Sequence, residues 1–188
     1  MSSAYYNNLI RRVIEASESD TWEDAVYEWM IFDCEEDEEC TSACLCGKES
    51  IRYLYTIRNH KTGQMLYPIG SSCIRKFERD ELDEEIAIHE GMFKLYKAIR
   101  NREKIELSSK YFTKRLLATL NNAGAFPGNQ YNHYDGNEDY QFLLDMFNKR
   151  DKSKITDAQH RKINGIIAYS IKPYLARTLK YKDEQYKR

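Results

Sequence analysis

The 188-residue sequence predicts an α+β protein, with a small antiparallel β-meander in residues 1–80 and a mainly helical region in residues 81–188. Strand-forming residues are concentrated in three short stretches, 29–34, 51–57 and 64–69, which polar or turn-forming residues separate. Apolar residues of the later region recur instead at helical spacing. All five cysteines lie in the first region, so any site that they form belongs to it.

Two helices are predicted before the first strand. The first spans residues 3–18, because its apolar residues form one stripe at helical spacing. A short second helix is expected at residues 22–27, where Asp20 and Glu23 have the spacing of a capping box.

The meander follows these helices. Its first strand leads into the acidic run Glu35–Glu39, which is predicted to be a solvated loop. The two later strands are predicted to form a hairpin around the turn Asn59–Gly63. Because Pro68 has no N–H donor, it should lie at the end of a strand or on an edge strand.

The second region is predicted to contain four helices. A long loop rich in Gly, Asn and Tyr is expected over residues 124–138, and Pro173 predicts either the end of the last helix or a kink. The first predicted helix spans residues 81–100, and the second runs from Ser108 or Ser109 to about 121–124. The third spans 139–148, and the fourth runs from the capping box of Thr156 and Gln159 to about residue 171.

Charge and hydropathy narrow the function classes. No stretch approaches the roughly 20 apolar residues of a membrane helix, and the first residues lack the apolar centre of a signal peptide, so a cytoplasmic protein is expected. The net charge is −1, but residues 1–50 carry −10 and residues 97–188 carry +9. The basic part could attract phosphate, or the charges could be ordinary solvated faces that offset each other.

A cysteine cluster carries the clearest chemical signal. In a chain without an export signal, disulfides are not expected. In Cys44-Leu45-Cys46-Gly47 two thiolates can face one ion, and Gly47 allows a tight turn. The hairpin then brings Cys73 to a helix start, where the helix dipole favours a thiolate. A structural Zn²⁺ held by Cys44, Cys46 and Cys73 is therefore predicted, ahead of an iron–sulfur cluster or unligated buried thiols.

The fourth zinc ligand stays open between three residues. Cys40 is favoured, because it is near in sequence and chemically equivalent to the other three. Cys34, across the acidic run, and His60, in the hairpin turn, are the alternatives. A turn, a hairpin and a helix start that share one ion make a module of treble-clef or zinc-ribbon type.

The segment CLCGKESIRYLYTIRNHKTGQMLYPIGSSCIRKF resembles a zinc motif of small proteins of bacteriophages and large DNA viruses. That motif couples Cys-x-Cys-Gly and an Ile-x-Asn hairpin to Gly-Ser-x-Cys-x-x-x-Phe. Glu28-Trp29 and the later helix start Lys154–Gln159 are also similar to that group. The resemblance implies a zinc-organised viral protein and no defined activity. Related chains often carry His and Cys where this sequence has Lys48 and Tyr55, which favours Cys40 or Cys34 as the remaining ligand.

No enzymatic signature is evident, and a non-enzymatic protein is expected. The four histidines have no spacing typical of a nuclease centre, although the loop segment His133-Tyr134-Asp135 is a candidate. A Gly-rich phosphate loop, a Gly-x-Ser-x-Gly turn and the deaminase signatures do not occur.

Two kinds of partner are therefore predicted. The first is a nucleic acid, which basic side chains would contact through phosphate while tyrosines stack on bases. The candidate phosphate contacts are Arg75, Lys76, Arg79, Lys110, Lys114 and Arg115. The second is a host protein, which this chain would bind as a phage-encoded inhibitor or regulator. The segment Asp33–Glu39, which contains the acidic run, would then imitate phosphate charge.

Overall fold

The computed structural model describes residues 3–185, with side chains through residue 179, and confirms an α+β protein. Within this part the chain forms two compact units, a sheet unit that extends to His89 and a helical unit that begins at Glu90. The boundary falls inside the long helix α4 (Asp80–Arg100), nine residues after the division between residues 80 and 81 that the sequence predicts.

The sheet unit opens with the two predicted helices. Helix α1 (Ala4–Glu15) is capped by the Ser3 hydroxyl, and helix α2 (Trp22–Ala25) continues into a 3₁₀ turn that ends at Glu28. The predicted Asp20–Glu23 capping box is wrong by one residue. Thr21 is the N-cap, because its hydroxyl accepts the Asp24 N–H.

The three predicted strands form one antiparallel sheet in the order β1-β2-β3. They are β1 (Trp29–Glu36), β2 (Tyr53–Asn59) and β3 (Met65–Gly70). Pro68 lies on the edge strand β3, as its missing donor predicts. One face of the sheet supplies much of the core, through the buried side chains of Trp29, Tyr55, Ile57 and Ile69.

The acidic run differs from its prediction as a solvated loop. Strand β1 continues through Glu35 and Glu36, which pair with Leu54 and Tyr53 of β2. Glu35 is buried and Glu36 is half-buried, so the prediction is wrong for these two residues. Backbone pairing with β2 overrides the preference of the carboxylates for water.

The chain turns from β3 directly into a helix, as the sequence predicts. Helix α3 (Ser71–Ile74) follows Gly70 and passes into a 3₁₀ turn over Arg75–Phe77. Glu78 then takes a left-handed conformation, with φ of 52°, and ends this turn shortly before α4.

The helical unit contains the C-terminal part of α4, four further α-helices and a π-helical turn. The helices are α5 (Lys114–Asn122), α6 (Gly136–Asn148), α7 (Asp157–Ile166) and α8 (Lys172–Gln185), with the π turn at Ile167–Ile171. Apolar faces of these helices meet in a core that includes Leu95, Phe112, Leu117, Leu120, Leu143, Ile171 and Leu175.

Two helix starts differ from the sequence prediction. Helix α5 begins after Thr113, whose hydroxyl accepts the Leu116 N–H at 3.0 Å, and not at Ser108 or Ser109. The preceding Tyr111 and Phe112 are buried in irregular structure. Helix α6 begins three residues earlier than predicted, because Asp135 caps it by accepting the Asn137 N–H.

The last helices confirm one prediction and exclude one of the two alternatives predicted for Pro173. The capping box of Thr156 and Gln159 is present at the start of α7. Pro173 lies inside α8 and does not end the helical path. Proline has no N–H to donate to the carbonyl four residues earlier, here that of Tyr169, and in a regular α-helix its ring would clash with that carbonyl. Tyr169 lies in the π turn, and the wider helical register there relieves the clash.

Candidate functional sites

Three cysteines come together in the sheet unit. The Cys44 and Cys73 sulfurs lie 3.6 Å apart, and the Cys73 and Cys46 sulfurs lie 3.4 Å apart. All three sulfurs lie within 4.8 Å of one another and are buried, so they could hold a metal ion. A tetrahedral ion with bonds of about 2.3 Å to sulfur separates its ligands by about 3.8 Å, which is close to this spacing.

The backbone around Cys44 and Cys46 forms the tight turn that the sequence predicts. Gly47 has a φ of +97°, and its N–H donates to the Cys44 carbonyl at 2.7 Å. The Cys44 N–H donates to the Lys48 carbonyl at 2.8 Å, which closes the turn. The Leu45 N–H donates to the Pro68 carbonyl at 2.8 Å, so the turn is fastened to β3, close to where Cys73 emerges.

Backbone donors also face the sulfurs. The Gly70 N–H donates to the Cys44 Sγ at 3.3 Å. The hydrogen bond from Cys73, together with backbone donors at Cys46 and Gly70, lowers the pKa of Cys44 from 9.0 to about 5. Burial raises the pKa of Cys46, and the hydrogen bond to Cys44 together with burial raises the pKa of Cys73. Three thiolates this close repel one another, so their joint ionisation calls for a cation between them.

None of the three candidates for a fourth ligand belongs to the group of close ligand atoms found among residues 3–179. Cys40 is half-buried, with a φ of 53°, and its thiol lies 3.6 Å from the Asp37 carbonyl. Cys34 is fully buried on β1 and pairs with Tyr55 of β2, so both side chains lie on one face of the sheet. His60 lies in the hairpin turn and is exposed.

A cavity of about 550 Å³ borders the sulfur cluster. Cys46 and Cys73 line it together with Tyr6, Ser72 and Lys76. The side of the cluster that faces this cavity is therefore the side from which solvent or a further ligand can approach.

The predicted phosphate contacts are divided between the two units, and the three in the sheet unit make contacts within the protein. Arg79 donates to the Val26 and Trp29 carbonyls at 3.0 and 2.6 Å and pairs with Glu81, so its guanidinium is a structural group. Arg75 pairs with Asp83 at 3.7 Å, and Lys76 stacks on the Tyr6 ring.

The other three predicted contacts lie in the helical unit. Lys110 stacks on the Tyr111 ring and pairs with Glu103 at 3.4 Å. Lys114 and Arg115 are exposed at the start of α5. These three basic residues lie in a unit of net positive charge, with 20 Lys and Arg against 11 Asp and Glu. The sheet unit, which holds the other three, carries 9 Lys and Arg against 19 Asp and Glu and would repel phosphate.

The acidic run offers less free charge than its sequence suggests. Besides the buried Glu35, Glu36 pairs with Arg52 at 3.2 Å. Asp37 accepts the N–H and hydroxyl groups of Thr41 and Ser42 at 2.8 to 3.1 Å and thereby organises the loop. Burial alone would raise the pKa of Asp37, but these donors lower it from 3.8 to about 2. Glu38 and Glu39 are the exposed members of the run.

A buried carboxylate that sequence reasoning did not identify as a site anchors the sheet unit. Glu28 is 1% exposed and accepts from the Glu18 and Ser19 N–H groups at 2.9 Å and from the Asn59 side chain at 2.7 Å. Burial alone would raise the pKa of Glu28, but hydrogen bonds from Ser19, Asn59 and Glu18 lower it from 4.5 to about 2. The Ile-x-Asn and Glu-Trp elements noted in the sequence meet in this network.

The loop histidine of the helical unit is exposed and lies within hydrogen-bond distance of a glutamate. His133 Nδ1 lies 2.9 Å from Glu138, and both His133 and Tyr134 have positive φ. Sequence reasoning also missed a groove beside this loop, which Tyr131, Asp139, Lys162 and Tyr169 line. The richness of the loop in tyrosine was the only signal that pointed to it.

Comparison of the chain with protein-family models, curated proteins and solved structures finds no match. The resemblance to the viral zinc motif therefore stays a prediction. None of the helices within residues 3–185 has both the length and the apolarity needed to cross a bilayer.

Proposed function

We propose that this chain is a zinc-stabilised, non-enzymatic binding protein whose helical unit associates with nucleic acid. The observation that carries the proposal is the separation of charge, with −10 on the sheet unit and +9 on the helical unit. A polyanion is attracted to a basic unit and repelled by an acidic one, so the two units would have different tasks.

Zinc is the ion that best suits the three sulfurs. Thiolates select zinc, copper(I) or iron–sulfur clusters, and a glycine turn, a hairpin and a helix start around one ion are typical of treble-clef and zinc-ribbon modules. We propose Cys40 as the fourth ligand, with Cys34 and His60 as alternatives. Cys40 would have to approach the cluster from the loop that Asp37 organises.

The ligand proposal is tested by metal analysis and by cobalt substitution. One zinc per chain is expected in protein purified without chelator. Cys40→Ser should change the cobalt spectrum from that of four thiolates to that of three, whereas Cys34→Ser and His60→Gln should leave it unchanged. A three-thiolate spectrum in the unaltered protein would instead indicate that His60, or solvent entering from the bordering cavity, completes the site. A spectrum that His60→Gln alters would then identify the imidazole, and one that it leaves unchanged would identify solvent.

Nucleic-acid association is tested by its dependence on salt. Labelled single-stranded DNA and RNA should bind the full chain with an affinity that falls linearly, on logarithmic axes, as salt increases. Replacing Lys114 and Arg115 by Gln should reduce that slope by up to about two. Lys76→Gln, in the acidic unit, is the matched control and should change it little. Absence of binding at low salt would reject this function.

A protein partner is the second candidate, and an exposed apolar surface favours it. Met30 and Met65 flank Arg58 across the solvent face of the sheet and are 48% and 49% exposed. Phe32 on β1 and Tyr67 on β3 are 56% and 45% exposed. Clustered apolar side chains on a surface are typical of protein interfaces.

A protein that binds this way would act as a phage-encoded inhibitor or regulator in the bacterial cytoplasm. Pull-downs of bacterial host proteins with the full chain should lose the partner when Phe32 is replaced by Ser. Neutralising Glu38 and Glu39 is the parallel test for phosphate mimicry. A partner list that neither change alters would count against this candidate.

A further inference from the structure

A groove on the helical unit combines two exposed tyrosine rings with an ion pair between the half-buried Lys162 and the buried Asp139. It has a volume of about 510 Å³, which lies within the range of small-molecule sites. Its walls come from the loop before α6, from α6 and α7, and from the π turn. Residues that line it include Tyr131, Asp139, Lys162, Gly165, Tyr169 and Ser170.

The two tyrosines of the groove are held out in solvent. Tyr131 is 80% exposed and Tyr169 is 83% exposed. An aromatic ring left in water gives up the free energy that its burial would supply, so two such rings beside one groove are a feature in need of a ligand. A planar ring system stacked on them would cover this surface.

The loop that presents Tyr131 is built tightly. The buried Asn132 accepts the Asn129 N–H at 2.6 Å and donates to the Pro127 carbonyl and to Asp139 at 3.0 and 2.8 Å. A Cβ atom at Gly128 would overlap the Tyr134 carbonyl. The neighbouring Tyr134 takes a φ of 63°, which is strained for a bulky residue. Tyr131 is therefore presented by a fixed loop.

The opposite wall is equally specific. Tyr169 belongs to the π turn, a helical irregularity that is frequent at functional sites. From Ala158 to Leu179 the sequence contains Arg161, Lys162, Lys172 and Arg177 and no acidic residue. Of these basic residues Lys162 lines the groove, so this wall places one ammonium group beside the exposed Tyr169 ring.

A polar pair marks the floor of the groove. Asp139 is 4% exposed, and one of its carboxylate oxygens accepts from Asn132. Its other oxygen lies 3.7 Å from Lys162 Nζ, too far for a hydrogen bond. The ammonium can therefore donate to an incoming phosphate, and the carboxylate oxygen can accept from the amino group of a base.

From these observations we infer that the groove binds an unpaired base of a single-stranded nucleic acid, with Tyr131 and Tyr169 as stacking residues and Lys162 as a phosphate contact. This inference rests on the proposed function and assigns it a place on the helical unit. Lys162 beside the two rings, together with the charge of +9 on the helical unit, favours a polyanion over a protein segment. Paired bases in a duplex are not available to stack on side chains.

The experiment measures binding of the full chain to a labelled oligothymidylate of roughly 12 nucleotides, by fluorescence anisotropy. Tyr131→Ala and Tyr169→Ala should each weaken binding by about 5- to 150-fold, because each removes one stacked base. Tyr169→Phe keeps the ring and should bind like the unaltered protein. Tyr134→Ala, which truncates an equally exposed ring outside the groove lining, is the matched control.

The salt dependence of binding distinguishes stacking residues from a phosphate contact. The tyrosine variants should keep the salt slope of the unaltered protein, whereas Lys162→Gln should lower it by about one. A duplex of the same length should be insensitive to the tyrosine substitutions. Thermal melts that match the unaltered protein confirm that each variant is folded, and Tyr169→Phe provides the comparison if an alanine variant is destabilised.

The outcomes distinguish this inference from the function on which it rests. Salt-dependent binding that neither tyrosine substitution weakens would overturn the groove and leave nucleic-acid association in place. Equal losses for Tyr134→Ala and Tyr169→Ala would also overturn it. No binding of any oligonucleotide at low salt would overturn both.

Discussion

The sheet unit and the helical unit solve the problem of stability in different ways. The sheet unit has three short strands and small helices, and it contains the three clustered cysteine sulfurs and the hydrogen-bonded, buried Glu28. The helical unit has longer amphipathic helices whose Leu, Ile and Phe side chains pack on one another. Both units bury apolar side chains, and the sheet unit adds a buried carboxylate network and three sulfurs that could hold a metal ion.

The same division separates charge. Acidic side chains prevail in the unit that would hold the cation, and basic side chains prevail in the unit with the exposed tyrosine groove. Each unit also contains one buried carboxylate that fastens a loop, Glu28 in the first and Asp139 in the second. These parallels allow each unit to be perturbed separately.

Removal of the proposed metal ligands should have the largest effect. Cys44→Ser and Cys73→Ser should abolish cooperative folding of the sheet unit, because structural zinc contributes roughly 10 kcal/mol or more to such modules. Both tryptophans, Trp22 and Trp29, lie in this unit, so their fluorescence reports its unfolding. Chelator should act in the same way.

Far-UV circular dichroism provides the control for this prediction, since most helical residues from Glu90 onward should persist. A sheet unit that melts unchanged in chelator would show that its apolar core suffices. Loss of all helix together with the tryptophan signal would show that the two units fold as one.

Replacement of Glu28 by Gln should have the next largest effect. The folded-state pKa of about 2 lies below the usual 4.5, so the ionised carboxylate stabilises the fold above pH 4.5, and this contribution is lost as pH falls toward 2. Its size is about 3 kcal/mol at neutral pH. Urea unfolding followed by tryptophan fluorescence should show this deficit at pH 7 and a shrinking one below pH 4.5.

Glu23→Gln, an exposed glutamate of α2, is the matched control for charge removal. A deficit for Glu28→Gln that is the same at pH 7 and pH 3 would contradict the assignment of the pH dependence to this carboxylate.

Loss of a buried polar anchor in the helical unit should lower the free energy of unfolding by less. Asn132→Ala removes the hydrogen bonds to Pro127, Asn129 and Asp139 from a fully buried position and should destabilise by about 1–3 kcal/mol. Circular dichroism melts should record this loss while the tryptophan transition stays in place. Gln130→Ala, in an exposed position of the same loop, should leave both unchanged.

Thr156→Ala should have the smallest effect. It deletes the N-terminal capping box of α7, which contributes about 1 kcal/mol. The melt of the helical unit should shift by a few degrees, and Thr156→Ser should restore it. No shift at all would indicate that tertiary packing alone defines the start of α7.

Sequence patterns located the elements better than their ends. Alternation and turn residues placed all three strands, and the Cys-x-Cys-Gly turn located the sulfur cluster, because each is a local pattern with a physical cause. Helix starts at Thr21 and Thr113 were missed, since several Ser, Thr and Asp residues compete for the capping role nearby.

The buried polar groups could not be predicted from local pattern. Glu28 resembles a surface residue until its partner Asn59, 31 residues away, is known. Glu35 is buried by strand pairing with Leu54, which the acidic composition of its segment does not indicate. The same holds for the groove, whose tyrosines come from a loop and a π turn 38 residues apart in sequence number. Only tertiary structure brings them to one place.

The spacing of the three sulfurs has a practical consequence for handling the protein. Separations of 3.4 and 3.6 Å leave only a small movement before a disulfide bond of about 2.05 Å can form. Air oxidation would therefore convert two of these thiols into cystine and eject any coordinated ion. Preparations should be kept anaerobic or under phosphine reductant, and free of chelating resin.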